Sequence, residues 1–305
     1  MIATIAAHQV RSLSRRRIVL VLLVTLLAMT ALAGLIGWSS RRTIVRVYDE
    51  AVQILTAAGK PVPPNPVGLR PPLSLLSNMA IYIPLVGALL ALVLGHVIVA
   101  DDQAGGQGRL IFSRAVSRMS YLWGKVLAAA AVLAAVLGAS LALSAISLCI
   151  ANAAVPSAGS LGRLGLFYAL SWLYLMLFAL IGMVAVLVTR RRSLALLGAL
   201  GIWLVLTFVV PQFTSGLRPT ASLNPVTDPV STSQTFFDIT ARGRPLSVSE
   251  QYKEAGARIL GTAPAEATLR TVGRVAPIAV TLAALMTLAG GLTRRHDYSR
   301  SGADE

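Results

Sequence analysis

The residue types with the most chemistry in them sit in one stretch. Asp101 and Asp102 are adjacent carboxylates, followed by a glycine-rich turn through Gly105, Gly106 and Gly108. A mixed basic and apolar run comes next (Arg109, Leu110, Arg114, Val116, Ser117, Arg118), and Gly124-Lys125 closes the stretch. A Gly-Lys pair ends the phosphate-binding loops whose backbone N–H groups wrap phosphate oxygens. Such a loop needs Gly five residues earlier and Ser or Thr directly after. Met119 and Val126 stand at those places, and no strand–helix–strand pattern surrounds them. Nucleophilic and metal chemistry are no better supplied. There is no His-Glu-x-x-His helix, no pair of carboxylates within an apolar run and no His/Cys/Met cluster, and the single cysteine, Cys149, excludes an intrachain disulfide. No catalytic residue and no metal site are expected. The remaining use for residues 101–125 is recognition: Leu110, Ile111, Arg114 and Arg118 share helical spacing, and arginine beside an apolar anchor is the chemistry of protein contacts.

The surroundings decide where such a contact would sit. Of 305 residues, 55% are hydrophobic and 13% charged, with a mean hydropathy of +0.73. Soluble domains carry about 25% charged residues, so composition argues against a water-soluble enzyme. The net charge of +15 would suit a nucleic-acid binder, but here the basic residues cluster at the ends of long apolar runs. The partner this implies is a lipid bilayer, with no nucleic acid.

A bilayer core of roughly 30 Å takes about 20 apolar residues in a helix. Six runs qualify: 18–38, 79–99, 126–150, 164–188, 194–210 and 275–292. None alternates as a barrel strand does. The fold class is therefore all-α: a polytopic membrane protein with six transmembrane helices, an N-terminal interfacial helix and partly helical outer loops. Between and around the spans lie a cytoplasmic segment 1–17, an outer loop 39–78, a cytoplasmic loop 100–125, a long outer loop 211–274 and a cytoplasmic tail 293–305. Orientation follows from arginine and lysine in the flanks. Fourteen fall on the side that holds both chain ends, against six in the shorter segments of the other side. The positive-inside rule then puts both termini in the cytoplasm and the protein in the inner (plasma) membrane. Arg41 and Arg42, just beyond the first span, run against that bias. Ser14-Arg15-Arg16 resembles a twin-arginine signal, but the apolar run continues past Ala31-Leu32-Ala33 to Trp38 as a full span and is expected to stay uncleaved.

Residues 1–15 read as an amphipathic helix with Ile2, Ile5, Ala6, Val10 and Leu13 on one face, lying on the cytoplasmic leaflet. The outer loop 39–78 starts helical and ends in a proline-rich, extended part. The loop 211–274 is too long for a bare connection. Ser249, or Ser247 before it, caps a helix through Tyr252, Ala255, Ile259 and Leu260, and both loops are expected to fold outside the membrane. Within the spans, Gly87, Ala91 and Gly95 form a small-residue stripe for helix packing, and Pro84 is a kink site. His96 reads as a helix-end side chain at the interface. Tyr168, Trp172 and Tyr174 read as an aromatic belt near the outer face.

The order acidic residue, Gly, Leu, Ser-x-x-Val-Ser-Arg, then Gly-Lys running into an apolar span resembles the first cytoplasmic loop of ABC-2 type permeases. The resemblance is closest to the half-size, six-span group that pairs with a separate ATPase, near the nitrous-oxide-reductase maturation permeases. The matching positions are Asp101 or Asp102, Gly108, Leu110, Ser113, Val116, Ser117, Arg118, Gly124 and Lys125, with Leu223-Asn224-Pro225 after the fifth span also in keeping. The chain departs from that pattern in having Asp for Glu, Arg109 for Thr and Ala115 for Pro. Ala104-Gly105-Gly106-Gln107 is similar to the Ser-Gly-Gly-Gln signature of ABC ATPases, without the body that signature belongs to. The resemblance implies a non-catalytic membrane subunit coupling ATP hydrolysis to export or another outward-directed process. ATP and Mg would be bound by a cytoplasmic ABC ATPase subunit, this chain would hold no cofactor, and a second permease copy (homodimer or paralogue) would complete the pathway. Asp101, Asp102, Gly108, Arg109, Leu110, Arg114, Val116, Ser117, Arg118, Gly124 and Lys125 would form the ATPase-coupling loop. The alternative is a mechanical transmitter acting on an extracytoplasmic protein, in maturation or assembly, without transporting a free substrate.

Overall fold

The computed structural model describes residues 2–14, 17–69, 71–104, 117–152, 155–189, 191–214, 239–240, 242–263 and 268–295. Apolar runs long enough to cross a bilayer satisfy their own backbone only as helices or closed barrels, and among the described residues no strand forms. Among the described residues there are eight main helices: α1 (Ile2–Ser14), α2 (Arg17–Ala57), α3 (Met79–Asp101), α4 (Arg118–Asn152), α5 (Ala158–Val188), α6 (Arg192–Thr214), α7 (Val248–Ile259) and α8 (Thr268–Arg295). Six of them, all but α1 and α7, are long and apolar enough to span a membrane. This is an all-α polytopic membrane protein. We call the end that carries α1 and the end of α8 proximal, and the other end distal.

Helices α3 and α5 form the centre and are the most covered of the six, whereas α2, α6 and α8 are the least. The close approach of α3 and α5 rests on glycine. A methyl group on Gly95 would overlap the carbonyl of Ala179, and one on Gly182 would overlap the carbonyl of Leu92. Small residues let two backbones meet in lipid, where dispersion and close packing drive helix association. The stripe residue Ala91 is fully buried, and a methyl on Gly87 would lie 3.2 Å from Leu175. His96 is buried between the same two helices, its backbone beside Gly182.

Hydropathy marks where apolarity stops, and helices continue beyond it. Helix α2 runs to Ala57, roughly 28 Å past Trp38 at 1.5 Å per residue. Beyond the apolar run it keeps a periodic half-buried face (Ile44, Val45, Tyr48, Val52, Leu55), and the Tyr48 hydroxyl donates to Pro63 O at 3.0 Å in the segment that folds back along it. Proline shapes two spans. Ile83–Gly87, containing Pro84, is a π-helical turn within α3, and Val205–Val209 is another within α6, two residues before Pro211. A missing N–H and a crowded ring force such widened turns.

One element contradicts the expectation that the long segment before the last span folds outside the membrane. Helix α7 runs antiparallel to α5 along its distal half. Ser249 meets Tyr174, Tyr252 meets Ser171, Gly256 meets Phe167, and Ile259 meets Arg163. Tyr174 lies sixteen residues into α5, or about 24 Å from its distal end. The N-terminus of α7 therefore reaches the mid-depth of the bundle. Polar backbone can lie there only if it is satisfied by protein. Ser247 caps the helix, accepting from Glu250 N–H, and at the other end Gly261, with φ +77°, turns the chain so that Gly261 and Thr262 N–H reach the carbonyls of Arg258 and Ala257.

The aromatic-belt expectation is also overturned. Tyr168 and Tyr174 are buried, and Trp172 donates its indole N–H to Ala130 O at 3.0 Å. The Tyr168 hydroxyl bonds Ser144 Oγ at 2.7 Å and Ser140 O at 3.2 Å. These polar tips find protein partners inside the bundle and do not need an interface.

Candidate coupling site at the proximal end

The segment singled out by sequence begins at the end of α3 and finishes at the start of α4. Asp101 is half-buried at the end of α3, and Asp102 continues that helix. Gly108, Arg109, Leu110, Arg114 and Val116 lie outside the described residues, as does Ser113 and the side chain of Asp102. Four further residues lie together at the start of α4: Ser117 caps the helix, and Arg118, Gly124 and Lys125 join it to other elements.

Ser117 starts α4. Its hydroxyl accepts from Ser120 N–H at 3.1 Å and its carbonyl from Tyr121 N–H at 3.1 Å, so two free donors of the first turn are satisfied. Arg118 reaches across to α8 and donates from Nη1 to the carbonyl of Arg294, in the last turn of that helix. Gly124 provides a socket for α1: a methyl group there would stand 2.5 Å from Ile5 Cγ2. Lys125 is 2% exposed, and its ammonium donates to Gln9 Oε1 of α1 at 2.9 Å and to Ile98 O, near the end of α3, at 2.9 Å. It also lies 5.3 Å from the centre of the Tyr121 ring. A buried ammonium is costly unless it is hydrogen-bonded, and a carbonyl near a helix C-terminus is a favourable partner because the helix dipole is negative there.

This arrangement revises the reading of α1. Its Ile5, Gln9 and Leu13 face is spent on α4, with Leu13 fully buried, and the residues left exposed are Ala3, Thr4, Ala7, His8 and Arg11. The glycine socket accepts the apolar face that was expected to enter the leaflet. Sequence reasoning also missed Gln9, the partner of Lys125. The i, i+4 spacing of Ile5, Gln9 and Leu13 could have revealed it, since it puts the amide in the middle of the apolar face.

At the distal end two more cations sit on carbonyls near helix C-termini. Arg41 of α2 donates to Ala151 O and to the Asn152 side chain at the end of α4. Arg163 donates from Nε to Ile259 O at 3.0 Å and from Nη2 to Arg258 O at 3.1 Å, at the end of α7. The hydroxyl contacts of α7 were missed as well. Tyr174 and Ser249 pair at 2.9 Å, Tyr252 and Ser171 at 2.8 Å, and the Tyr174 and Tyr252 rings stack with centroids 4.5 Å apart. Ser249 Oγ also donates to Leu206 O at 2.8 Å. That carbonyl is short of a helical donor because Val210 N–H turns to Val205 O and Pro211 has no N–H. The Pro211 position was the available signal. Burial pushes the Tyr252 phenol well above its ordinary value.

No group of three His, Cys, Asp or Glu side chains able to hold a metal occurs among the described residues. The proximal cluster offers mechanical linkage. The ends of α3 and α4, which bracket residues 105–116, are joined to each other by Lys125, to α8 by Arg118 and to α1 by Gly124 and Lys125. A displacement of the bracketed segment would be felt by all four helices.

The model of the ABC-2 family transporter proteins matches residues 3–288, nearly the whole chain, and the chain belongs to that family. No curated protein matches it. Family membership and six apolar helices together fit a half-size ABC-2 permease, a membrane subunit of an ABC transporter, and imply an ABC ATPase partner. Members of this family are generally non-catalytic membrane subunits.

Proposed function

We propose that the chain couples ATP hydrolysis by a separate cytoplasmic ATPase to export, with residues 101–125 as the coupling segment and the proximal end facing the cytoplasm. The observation that carries this reading is the junction under the segment. Arg118, Gly124 and Lys125 bind the start of α4 to α8, α1 and α3, so a force applied to the segment moves packed helices as rigid bodies. Two copies of the chain, or one copy and a paralogue, would line the pathway, in an inner membrane with both termini in the cytoplasm. ATP and Mg would bind to the ATPase.

In this reading the arginines have different tasks. Arg118 is engaged with Arg294 O, which leaves Arg109 and Arg114 as the ATPase-facing candidates. Charge reversal separates these roles. Arg114→Glu is expected to abolish co-purification of the ATPase while the thermal midpoint of the purified chain stays unchanged. Arg118→Glu is expected to lower that midpoint as well. Wild-type ATPase retention and transport in the Arg109→Glu/Arg114→Glu variant would refute the coupling assignment.

A second reading is favoured by α2, which stands roughly 28 Å beyond Trp38 with Val47 and Ile54 exposed. In it the chain transmits force to an extracytoplasmic protein through this projecting helix and transports no free substrate. Loss of an extracytoplasmic partner on deleting residues 45–66, with no flux in vesicles carrying the intact complex, would select it.

A further inference from the structure

Helix α7 is bounded in depth from both ends of the bundle. Ser249 meets Tyr174, about 24 Å from the distal end of α5, and Leu206 O, about 21 Å from the proximal end of α6. The first turn of α7 therefore lies near the middle of a bilayer core of roughly 30 Å. Ser249, Tyr252 and Gly256 face α5. By helical spacing Glu250, Lys253, Glu254, Ala257 and Arg258 then form a stripe on the side turned away from it. The stripe ends where Arg258 O meets Arg163, about 8 Å from the distal end of α5. Arg244, in the turn before α7, pairs with Glu254 and lies 3.8 Å from Glu250, and Lys253 Nζ lies 3.6 Å from Glu250. The carboxylates are largely covered, but the cations are not: the Arg244 side chain is 41% exposed and that of Lys253 38%.

We propose that the charged stripe of α7 walls a water-filled vestibule that runs from the distal surface to the middle of the membrane and admits soluble ions of either sign. Depth and charge choose this occupant. Charged side chains inside a membrane face the bundle interior or a water-filled cavity, because hydrocarbon solvates neither. A long cation can escape lipid by stretching to the interface, but here the acids prevent that. Glu250 lies on the mid-depth side of Lys253, three residues toward the start of α7, so the ion pair draws the ammonium inward. Arg244 is tied to Glu250 and Glu254 in the same way. The open sides of both cations therefore stay at hydrocarbon depth, where water satisfies them. An isologous copy of the chain would bring the same two cations and two carboxylates, already paired with each other, and so offers these cations no new acid. With two charges of each sign the wall is polar without excluding either sign of solute. The proposal does not depend on the coupling reading.

The test uses the full-length chain in phosphatidylcholine nanodiscs, in a Cys149→Ala background that removes the one native thiol. Single cysteines are placed at Lys253 and Ala257 on the stripe, and at Val24, which is exposed on α2 about 21 Å before Trp38. Lys253→Cys leaves Glu250 beside Arg244, and Ala257→Cys leaves every ion pair intact, so both are expected to keep the size-exclusion profile of the parent. Each is treated with a cationic and an anionic methanethiosulfonate, neither of which crosses a bilayer. The thiolate is the reacting form, and a thiol in hydrocarbon does not ionise. Both reagents are expected to modify Lys253→Cys and Ala257→Cys at least about tenfold faster than Val24→Cys, a pKa difference of about one unit being enough for that. Val24→Cys should label fully only after denaturation. Ala257 should react faster than Lys253, as entry from the distal end requires, and the reverse order would overturn that opening. Rates at both stripe positions as slow as at Val24, or reaction with one charge of reagent alone, would overturn the proposal. A disulfide between two Lys253→Cys chains in place of labelling would assign the face to a contact between copies and overturn it too.

Discussion

The two ends of the bundle use the same chemical device for different ends. At each, cations on one helix donate to carbonyls near the C-terminus of another: Arg118 and Lys125 at the proximal end, Arg41 and Arg163 at the distal end. Proximally, the helices so joined bracket the segment proposed to meet an ATPase, and the cation that does most is buried. Distally, Arg163 is an exposed clamp on α7, and what holds α7 in place lies deeper, in hydroxyl pairs with α5 and a serine hydroxyl donating to a carbonyl of α6. The difference is one of medium. A linkage that must carry force needs a rigid, desolvated tie, whereas a polar helix sunk to mid-depth needs its backbone and hydroxyls satisfied before anything else. In consequence, substitutions should be costliest at Lys125, intermediate at the hydroxyls and slight at Arg163.

The strongest test of that ranking is Lys125→Ala. It leaves Ile98 O and Gln9 Oε1 without their donor in a buried site and opens a void, a loss of about 2–4 kcal/mol. The expected result is a lower thermal midpoint together with release of α1, read as protease cleavage near Ser12. Lys125→Met keeps the volume and removes the charge. It avoids the void but still leaves Ile98 O and Gln9 Oε1 without a donor, so it should lose less stability than Lys125→Ala, and below its own midpoint ATPase activity should no longer respond to transport. A folded Lys125→Met that remains fully coupled would show that the proximal tie serves packing alone.

Much of the bundle was legible because a bilayer makes a simple demand, an apolar run of fixed length, and all six such runs lie in helices long and apolar enough to span. What hydropathy does not register is helix that leaves the membrane: the distal turns of α2 stay helical on amphipathic spacing after Trp38, and α4 starts at Arg118, ahead of its apolar run. Helix α7 was misplaced for the opposite reason. With Glu250, Lys253, Glu254 and Arg258 it has the composition of a surface helix, and only its partners on α5 and α6 reveal its depth. The motif was legible as a pattern and not as a set of roles. The family resemblance grouped Ser117, Arg118, Gly124 and Lys125, but a one-dimensional pattern cannot say whether a lysine faces a partner or the floor of its own bundle, and Lys125 faces Gln9.

Next in expected size are the hydroxyl ties of α7. Ser249→Ala orphans Leu206 O and removes a partner of Tyr174, and Tyr252→Phe removes the partner of Ser171. Each should cost about 0.6–1.7 kcal/mol in a membrane setting. The double variant Ser249→Ala/Tyr174→Phe should cost less than the sum of the singles, because the two share one bond. Strict additivity would break the claim that they form one tie. The same region carries a pH dependence with a definite sign. The folded-state value of the Tyr252 phenol is raised by burial, so its contribution to stability is complete below the ordinary value of about 10. It is lost as pH climbs from there toward the higher folded value, since only the unfolded chain gains from ionisation. Alkaline loss of α7, followed by protease access at residues 244–246, should be smaller in Tyr252→Phe than in the parent.

The smallest effect belongs to Arg163→Gln. The guanidinium clamps Arg258 O and Ile259 O, but it does so in contact with water, and a cation at a helix C-terminus contributes about 0.3–1 kcal/mol there. Gly261 and Thr262 already satisfy the carbonyls of Arg258 and Ala257 through the backbone, so only Ile259 O depends on the side chain among those two. The midpoint should drop by an amount near the resolution of the assay, and the drop should shrink further in high salt, which screens an exposed charge. A large, salt-independent loss in Arg163→Gln would mean that α7 is held from its distal end, and the contrast between a buried proximal tie and a surface distal clamp would have to be abandoned.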